Sequence, residues 1–200
     1  MQGKGKNKVI MRKNIAILAS GNGTNAEHFV HYFESHPQVS VALILTNRSK
    51  AFVLERAQRL GVPAYFLTKE QWAEGSEVNR LLDEYHIDFV VLAGFLARVP
   101  DNVLHRYPQR MVNIHPSLLP KFGGKGMYGD RVHEAVLASG ETESGITIHY
   151  TNEHYDEGAV ICQKRCPVLP DDTPETLATR VHALEYATYP QVVEQLIAQL

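Results

Sequence analysis

The sequence predicts an α/β fold: a Rossmann-like, mainly parallel sheet with helices on both faces and an antiparallel C-terminal edge. Two continuous apolar runs, residues 14–19 and 88–93, are typical of strands buried on both faces of a parallel sheet. Segments typical of strands and of helices alternate through the first half of the chain, which favours β–α–β units. Two later strand-like segments are joined by a short connection and are expected to pair antiparallel.

The predicted elements follow from local signals. The first strand runs into a glycine-containing turn at 20–25 and a helix that should end before Pro37, and Gly61 ends the second helix. The predicted helices are residues 26–35, 51–60, 77–85 and a helical region over 173–200, bent near Pro190. The predicted strands are residues 14–19, 39–46, 64–67, 88–93, 111–114, 145–151 and 159–168.

Bulk composition describes one ordinary domain. The 200 residues are 44% hydrophobic and 21% charged, which is enough chain to bury a sizeable core. A formal net charge of −2 gives no basic field for nucleic acid, and neither a membrane-length apolar run nor a secretory signal is visible. We therefore expect one domain over residues 1–200, with residues 1–13 as a mobile leader. We also expect a cytoplasmic monomer or homodimer with no nucleic-acid or membrane partner.

Residues 113–120, Asn-Ile-His-Pro-Ser-Leu-Leu-Pro, are the most informative stretch. Asn113 and His115 are two residues apart, so in an extended segment both side chains project from one face, and Pro116 favours that geometry. An amide can stabilise a developing oxyanion while an imidazole moves a proton, as acyl-type transfer requires. A hydrogen-bonded structural histidine is the alternative, and these residues alone leave it open.

Residues 20–25, Ser-Gly-Asn-Gly-Thr-Asn, join the first strand to a helix. Glycines let backbone amides face a ligand, and the helix N-terminus adds partial positive charge, so a phosphate fits. Ala26 replaces the third glycine of a dinucleotide-binding loop, and the Lys-Ser/Thr of a Walker loop is absent. A phosphomonoester is the favoured ligand, and a plain capped turn is the alternative. Residues 20–25, 94–100 and 113–120 all follow parallel strands, where such folds bind ligands.

Asp156 lies between the two late strands, from where it could reach back to His115. A carboxylate there would favour the protonated ring and fix its orientation, although a solvated turn is the alternative. His149, His154 and Asp156 have no recognised metal-ligand spacing, so no metal is expected. The two cysteines, Cys162 and Cys166, form no Cys-x-x-C pair and have no evident activating partner, so we expect reduced core or edge thiols.

Five motifs together resemble the folate-dependent formyltransferase family, from about Asn14 to near the C-terminus. In chain order they are residues 20–25, 91–95, 113–121, 145–149 and 156–158. The 20–25 loop in particular resembles the corresponding loop of the phosphoribosylglycinamide formyltransferase branch of this family. The resemblance implies that 10-formyltetrahydrofolate is a co-substrate whose formyl group passes to the amine of 5′-phosphoribosylglycinamide. This reaction belongs to de novo purine (IMP) biosynthesis and needs no metal.

The resemblance also implies roles for residues that match the family's motifs. Asn113, His115 and Asp156 match its catalytic trio, in which protonated His115 and Asn113 stabilise the oxyanion and Asp156 keeps His115 charged. The residues that match its ribonucleotide site are Gly23, Thr24, Asn25 and, at the ribose, Glu185. The residues that match its folate pocket are Leu96, Ala97, Arg98, Val99, Asn113, Asn152, Glu153, His154, Tyr155 and Asp156.

Two segments depart from the family pattern. The glycine-rich loop at residues 121–129 is longer than in the shorter members, and it is either a mobile flap or a tolerated loop. Where the family often has a folate-contacting arginine, this chain has Gln71, with Lys69 nearby. No folate contact is therefore assigned at that position.

Other functions make different demands on the sequence. Formyltetrahydrofolate hydrolase and methionyl-tRNA formyltransferase usually carry a further domain, for which we expect no room in 200 residues. The tRNA enzyme also lacks the 20–25 loop. A non-catalytic phosphosugar- or nucleotide-binding module has no need of Asn113, His115 and Asp156 together. An NAD-dependent oxidoreductase is disfavoured by the missing third glycine.

Overall fold

A seven-stranded mixed sheet dominates the computed structural model, which describes residues 12–200, and it confirms the predicted fold class. The strands are β1 Lys13–Leu18, β2 Val39–Thr46, β3 Ala64–Phe66, β4 Ile87–Leu92, β5 Met111–His115, β6 Glu143–Tyr150 and β7 Val160–Pro167. Their order across the sheet is β3-β2-β1-β4-β5-β6-β7. Neighbouring strands from β3 to β5 pair in parallel, whereas β6 pairs antiparallel with both β5 and β7.

The predicted leader, residues 1–13, lies almost entirely outside the described residues. Its last residue, Lys13, is the first residue of β1, so the leader was predicted to end too late.

Seven helices surround this sheet within the described part of the chain. They are α1 Thr24–Phe33, α2 Val53–Leu60, α3 Lys69–Glu74, α4 Ser76–Glu84, α5 Asp101–Leu104, α6 Asp130–Ala138 and α7 Pro174–Ile197. The helices α3, α5 and α6 were not predicted. The periodic signal is weakest for α3 and α5, which have only six and four residues. Pro190 lies inside α7, which continues through it. No helix over residues 12–200 is long and apolar enough to cross a membrane.

The core has one layer on each face of the sheet. Ile15 and Ile17 of β1 point into the layer that includes α1 and α7, while Ala16 and Leu18 point into the layer that includes α3, α4 and α5. This alternation explains why β1 reads as a continuous apolar run, since both of its faces are buried.

Tyr189 fixes α7 against the sheet. The side chain is fully buried, and its hydroxyl lies 2.9 Å from the carbonyl oxygen of Leu92 and 3.1 Å from that of Val112. Leu92 is the last residue of β4, and Val112 directly precedes Asn113 in β5. Burial raises the pKa of the Tyr189 phenol well above its ordinary value, so the hydroxyl stays a donor.

Replacing Tyr189 with Phe removes this donor and leaves buried carbonyl groups without it. We expect Tyr189→Phe to lower the free energy of unfolding by about 1–3 kcal/mol, measured by urea denaturation. The control is Tyr128→Phe, because Tyr128 is exposed and its loss should change stability by less than about 0.5 kcal/mol. Equal stability of the Tyr189 variant and the wild type would contradict the anchoring role.

Candidate active site

The site lies at the carboxyl ends of β1, β4 and β5. Strand order reverses between β1 and β4, and this switch point is where open α/β sheets bind ligands. Buried Ser20 joins the loops that follow these strands: its N–H donates to Gly94 O at 3.0 Å, and its Oγ accepts from Leu96 N–H at 2.8 Å. The same hydroxyl donates to Asn47 Oδ1 at 2.6 Å. One serine therefore holds residues 20–25, the predicted phosphate loop, and residues 94–99 together.

Every site residue predicted from the sequence lines a single cavity of about 540 Å³. The predicted catalytic residues on its wall are Asn113, His115 and Asp156. The predicted ribonucleotide residues on its wall are Gly23, Thr24, Asn25 and Glu185. The predicted folate residues on its wall are Leu96, Ala97, Arg98, Val99, Asn152, Glu153, His154 and Tyr155. The cavity thus brings together segments that are up to 160 residues apart in the chain.

The phosphate loop needs glycine at position 23. Gly23 has φ +77°, and a Cβ there would lie 2.4 Å from Cγ2 of Val53. The Gly23 carbonyl accepts from Glu27 N–H at 3.0 Å in the first turn of α1, and Asn22 Oδ1 accepts from Thr24 N–H at 3.1 Å. The N-cap residue, Gly23, has no side chain that could bind the amides after Thr24, so these remain available to an anion in the cavity.

Asn113 is oriented by a cross-strand partner. Asn113 on β5 faces His149 on β6, and its Nδ2 lies 3.1 Å from His149 Nε2. His149 Nδ1 lies 2.8 Å from Tyr150 O, and because a carbonyl only accepts, Nδ1 carries the proton. Nε2 is then the acceptor of the Asn113 amide. The sequence suggested His149 only as a metal ligand, with no metal expected, and gave no sign of this orienting contact.

Asp156 connects the catalytic candidates. Its Oδ1 lies 3.4 Å from Asn113 Nδ2 and 3.6 Å from His149 Nε2, while its Oδ2 lies 3.5 Å from His115 Nδ1 and accepts from Gly124 N–H at 2.8 Å. Burial alone would raise the pKa of Asp156. The nearby His149 and His115 rings and the Gly124 amide outweigh burial, so the pKa lies below its ordinary value. Asp156 is therefore ionised at neutral pH.

His115 is held through both ring nitrogens. Nδ1 faces Asp156, and Nε2 donates to Phe122 O at 2.7 Å. Burial lowers the pKa of His115 below its ordinary value, and this outweighs the charge of Asp156 and the Phe122 carbonyl, which favour the protonated ring. Asp156 thus favours the protonated ring, as expected, but burial acts in the opposite direction and is the larger effect in the free protein. The lowered pKa favours the neutral ring at pH 7.

The 121–129 loop lies over these residues rather than apart from them. It supplies the Phe122 carbonyl that binds His115 and the Gly124 amide that binds Asp156. Four positions of this loop have positive φ, namely Phe122, Gly124, Gly126 and Gly129. The loop is thus part of the site wall in this structure.

Glu185 joins α7 to the phosphate loop. It is 5% exposed, and its Oε2 accepts from Asn25 Nδ2 at 2.7 Å. Burial raises the pKa of Glu185 to about 7, and the Asn25 amide lowers it by a smaller amount. The group therefore titrates close to neutral pH.

The two segments predicted to contact folate form ion pairs with neighbouring residues on the surface. Arg98 pairs with Asp101 at 2.6 Å, and Glu153 pairs with His105 at 3.0 Å. Gln71 does not line the cavity; its side-chain oxygen accepts from Thr68 N–H at 2.8 Å in the cap of α3. Within residues 12–200, no three His, Cys, Asp or Glu side chains form a group that could hold a metal ion.

Several residues that line the cavity were not predicted from the sequence. They are Lys125 and Arg131, near the start of α6, together with His133 on α6 and His182 on α7. One signal was present for His182, since it precedes Glu185 by three residues and therefore lies on the same face of a helix.

A family model described as "Formyl transferase" matches residues 13–193 of the chain. The chain is 41% identical to a chloroplastic phosphoribosylglycinamide formyltransferase of Arabidopsis thaliana over 189 residues. It is 35% identical to the phosphoribosylglycinamide formyltransferase of Bacillus subtilis over 190 residues, which is 92% of this chain and 95% of that protein. A solved phosphoribosylglycinamide formyltransferase from Bacillus halodurans has a TM-score of 0.84 and 38% identity, over 92% of this chain and 95% of that one.

The matched region makes up different shares of these relatives. The alignment covers 91% of this chain but 64% of the Arabidopsis protein, and the chain likewise spans 62% of a relative from Vigna unguiculata.

The raised pKa of Glu185 predicts a pH dependence of stability. The folded protein holds this proton up to about pH 7, whereas the unfolded chain releases it near its ordinary value, so stability falls as pH rises between these values. Glu185→Gln keeps an acceptor for Asn25 and removes the titration. We expect its stability relative to wild type to increase by on the order of 3 kcal/mol from pH 4.5 to pH 8, measured by urea denaturation. A difference independent of pH would show that Glu185 titrates normally.

Proposed function

The chain belongs to the formyl transferase family, as its motifs predicted, and on that premise we propose that it is a phosphoribosylglycinamide formyltransferase. In this proposal the formyl group of 10-formyltetrahydrofolate passes to the amine of 5′-phosphoribosylglycinamide, giving formylglycinamide ribonucleotide and tetrahydrofolate. The reaction belongs to purine biosynthesis, as do the trifunctional purine biosynthetic proteins of Drosophila that the chain also matches.

One observation carries the proposal: Asn113 and His115 both contact Asp156 on the wall of a cavity that the 20–25 loop also lines. A binding module has no use for an ionised carboxylate between a buried imidazole and an amide. The phosphate loop suits a ribonucleotide, and the 96–99 and 152–156 segments add space and polar groups for a second, larger ligand.

The mechanism that we propose follows from these charges. The ribonucleotide amine attacks the formyl carbon, and the Asn113 amide donates to the tetrahedral oxyanion. His115 and Asp156 together accept the proton that the attacking nitrogen loses. The negative oxyanion raises the pKa of the neutral His115 ring, so the ring becomes protonated as the intermediate forms. The proton then passes to N10 as its bond to the formyl carbon breaks, and no metal or covalent enzyme intermediate is involved.

The proposal also includes the domain organisation, the partners and the location of the protein. We propose one formyltransferase domain over residues 1–200, with small-molecule substrates and no nucleic-acid partner, as a monomer or homodimer. A cytoplasmic location fits the free thiols of Cys162 and Cys166.

An absorbance assay of folate release tests the reaction. We expect release from 10-formyltetrahydrofolate only when 5′-phosphoribosylglycinamide is present. Release without the ribonucleotide would instead support a hydrolase, and no release in either condition would support a binding module.

Two substitutions test the assigned roles. His115→Ala removes the proton acceptor, and Asp156→Asn removes the charge that supports its protonated form. We expect each to lower turnover by about 10²–10⁴-fold, because positioned acid–base groups contribute on this scale. Both variants should still bind the ribonucleotide, since neither residue belongs to the phosphate loop.

His31→Gln serves as the control, because His31 is exposed on α1 and pairs with the exposed side chain of Glu34. Full formyl transfer by either active-site variant would disprove the roles given to His115 and Asp156.

A further inference from the structure

The single ring proton of neutral His115 has two possible acceptors. Nε2 lies 2.7 Å from the carbonyl oxygen of Phe122, and Nδ1 lies 3.5 Å from Oδ2 of the ionised Asp156. A neutral imidazole carries one proton, so only one of these contacts can be a hydrogen bond that the ring donates. The carbonyl contact is the shorter one, and it leaves Nδ1 unprotonated and facing the carboxylate. Nδ1 is thus the nitrogen that is free to accept a proton in the proposed reaction.

The position of the Phe122 carbonyl depends on a strained backbone. Phe122 has φ +57°, a left-handed conformation that residues other than glycine rarely adopt and that persists only where the surroundings enforce it. The next residue is closely packed as well, since a Cβ on Gly123 would lie 2.4 Å from Cδ2 of Leu119 and 3.4 Å from Cβ of Asp156. The carbonyl therefore depends on residues 117–122, the segment that follows β5, which we term the 117–122 turn.

Buried side chains hold this turn by hydrogen bonds to its backbone. Within the turn, Ser117 Oγ donates to Lys121 O at 2.7 Å, which fixes the peptide group directly before Phe122. From β6, Thr147 Oγ1 donates to Ser117 O at 2.7 Å and accepts from Leu119 N–H at 3.0 Å. Ser117 and Thr147 are both fully buried, so bulk water does not reach these bonds.

Strand register places this support in one row with His115. Thr147 of β6 is directly opposite His115 of β5, and Gln163 of β7 is directly opposite Thr147. Residues directly opposite each other on paired strands share a face of the sheet. Gln163 Nε2 donates to Thr147 Oγ1 at 2.9 Å and to Leu119 O at 3.0 Å. The Thr147 hydroxyl thus reaches its full capacity of one donated and two accepted hydrogen bonds.

We infer that Thr147 and Gln163 are positioning residues for the proton transfer. Through the 117–122 turn they hold the Phe122 carbonyl against His115 Nε2, and so fix the tautomer whose Nδ1 can accept a proton beside Asp156. Without this support, the carboxylate attracts the ring proton to Nδ1, and the nitrogen that should accept a proton already carries one. The inference rests on the proposed function for the identity of the reaction, whereas the tautomer is a property of the free protein.

The tautomer can be measured by ¹⁵N NMR of histidine-labelled protein at a pH above the pKa of the ring, with the His115 signals identified by their loss in His115→Ala. We expect the proton on Nε2 in wild type and in Thr147→Ser, which keeps the hydroxyl. Thr147→Val has nearly the same shape but no hydroxyl, and it should shift the proton towards Nδ1. Gln163→Met should cause a smaller shift, because the bonds from Thr147 to Ser117 and Leu119 remain.

Steady-state kinetics test the consequence for the reaction. We expect kcat to fall about tenfold in Thr147→Val with a much smaller change in KM, because the substrate contacts are kept while the positioned proton acceptor is lost. Thr147→Ser should restore most of the turnover. Lys164→Met is the matched control for Gln163→Met, since Lys164 is exposed on the other face of β7 and does not line the cavity.

Three results would overturn the inference. They are a wild-type ring with its proton on Nδ1, an unchanged tautomer in Thr147→Val, and a changed tautomer with unchanged kcat. If Thr147→Val does not fold, Gln163→Met decides, and an unchanged proton position there overturns the inference.

The proposed function fails on a different observation. If Thr147→Val moves the ring proton but wild type transfers no formyl group, the hold on the His115 tautomer stands and the proposed reaction is wrong. If wild type transfers the formyl group and the proton position is the same in all variants, the reaction stands and the positioning role falls.

Discussion

The carboxylate of Asp156 is the contact on which the site depends. Its two oxygens lie within 3.6 Å of Asn113, His115 and His149, and one of them accepts the Gly124 amide. These partners come from β5, β6 and the 121–129 loop, so one side chain sets the relative position of three segments. The backbone supports it closely: a Cβ on Gly158 would lie 1.6 Å from Tyr150 O, which leaves only glycine two residues after Asp156.

Contacts with the sheet hold the segments around this carboxylate in place. Ser20 joins the loops after β1 and β4, and Tyr189 holds α7 against Leu92 of β4 and Val112 of β5. Because α7 also carries Glu185, the same anchor positions the helix that contacts the 20–25 loop. Packing of the core is therefore linked directly to the geometry of the cavity.

The sequence was sufficient for features with a local or a motif signal. The buried strands β1 and β4 were predicted from their apolar runs. The site residues were predicted from the family resemblance, and all of them line the cavity. Features that depend on tertiary contact were missed. The rings of His133 and His182 meet only because α6 packs on α7, and His149 orients Asn113 only through the register of β5 and β6. The sequence also did not reveal that His115 is buried, and burial opposes the effect of the carboxylate partner on its pKa.

The most direct measurement is the ¹⁵N NMR titration of the His115 ring in the free protein and in Asp156→Asn. In wild type at pH 7, we expect a neutral ring with its proton on Nε2, as the contact with Phe122 O requires, and a pKa below the ordinary value. Removing the Asp156 charge should lower the pKa of His115 further. A pKa that does not change in the variant would contradict the central role of Asp156, and a His115 ring already protonated at pH 7 would contradict the larger effect of burial.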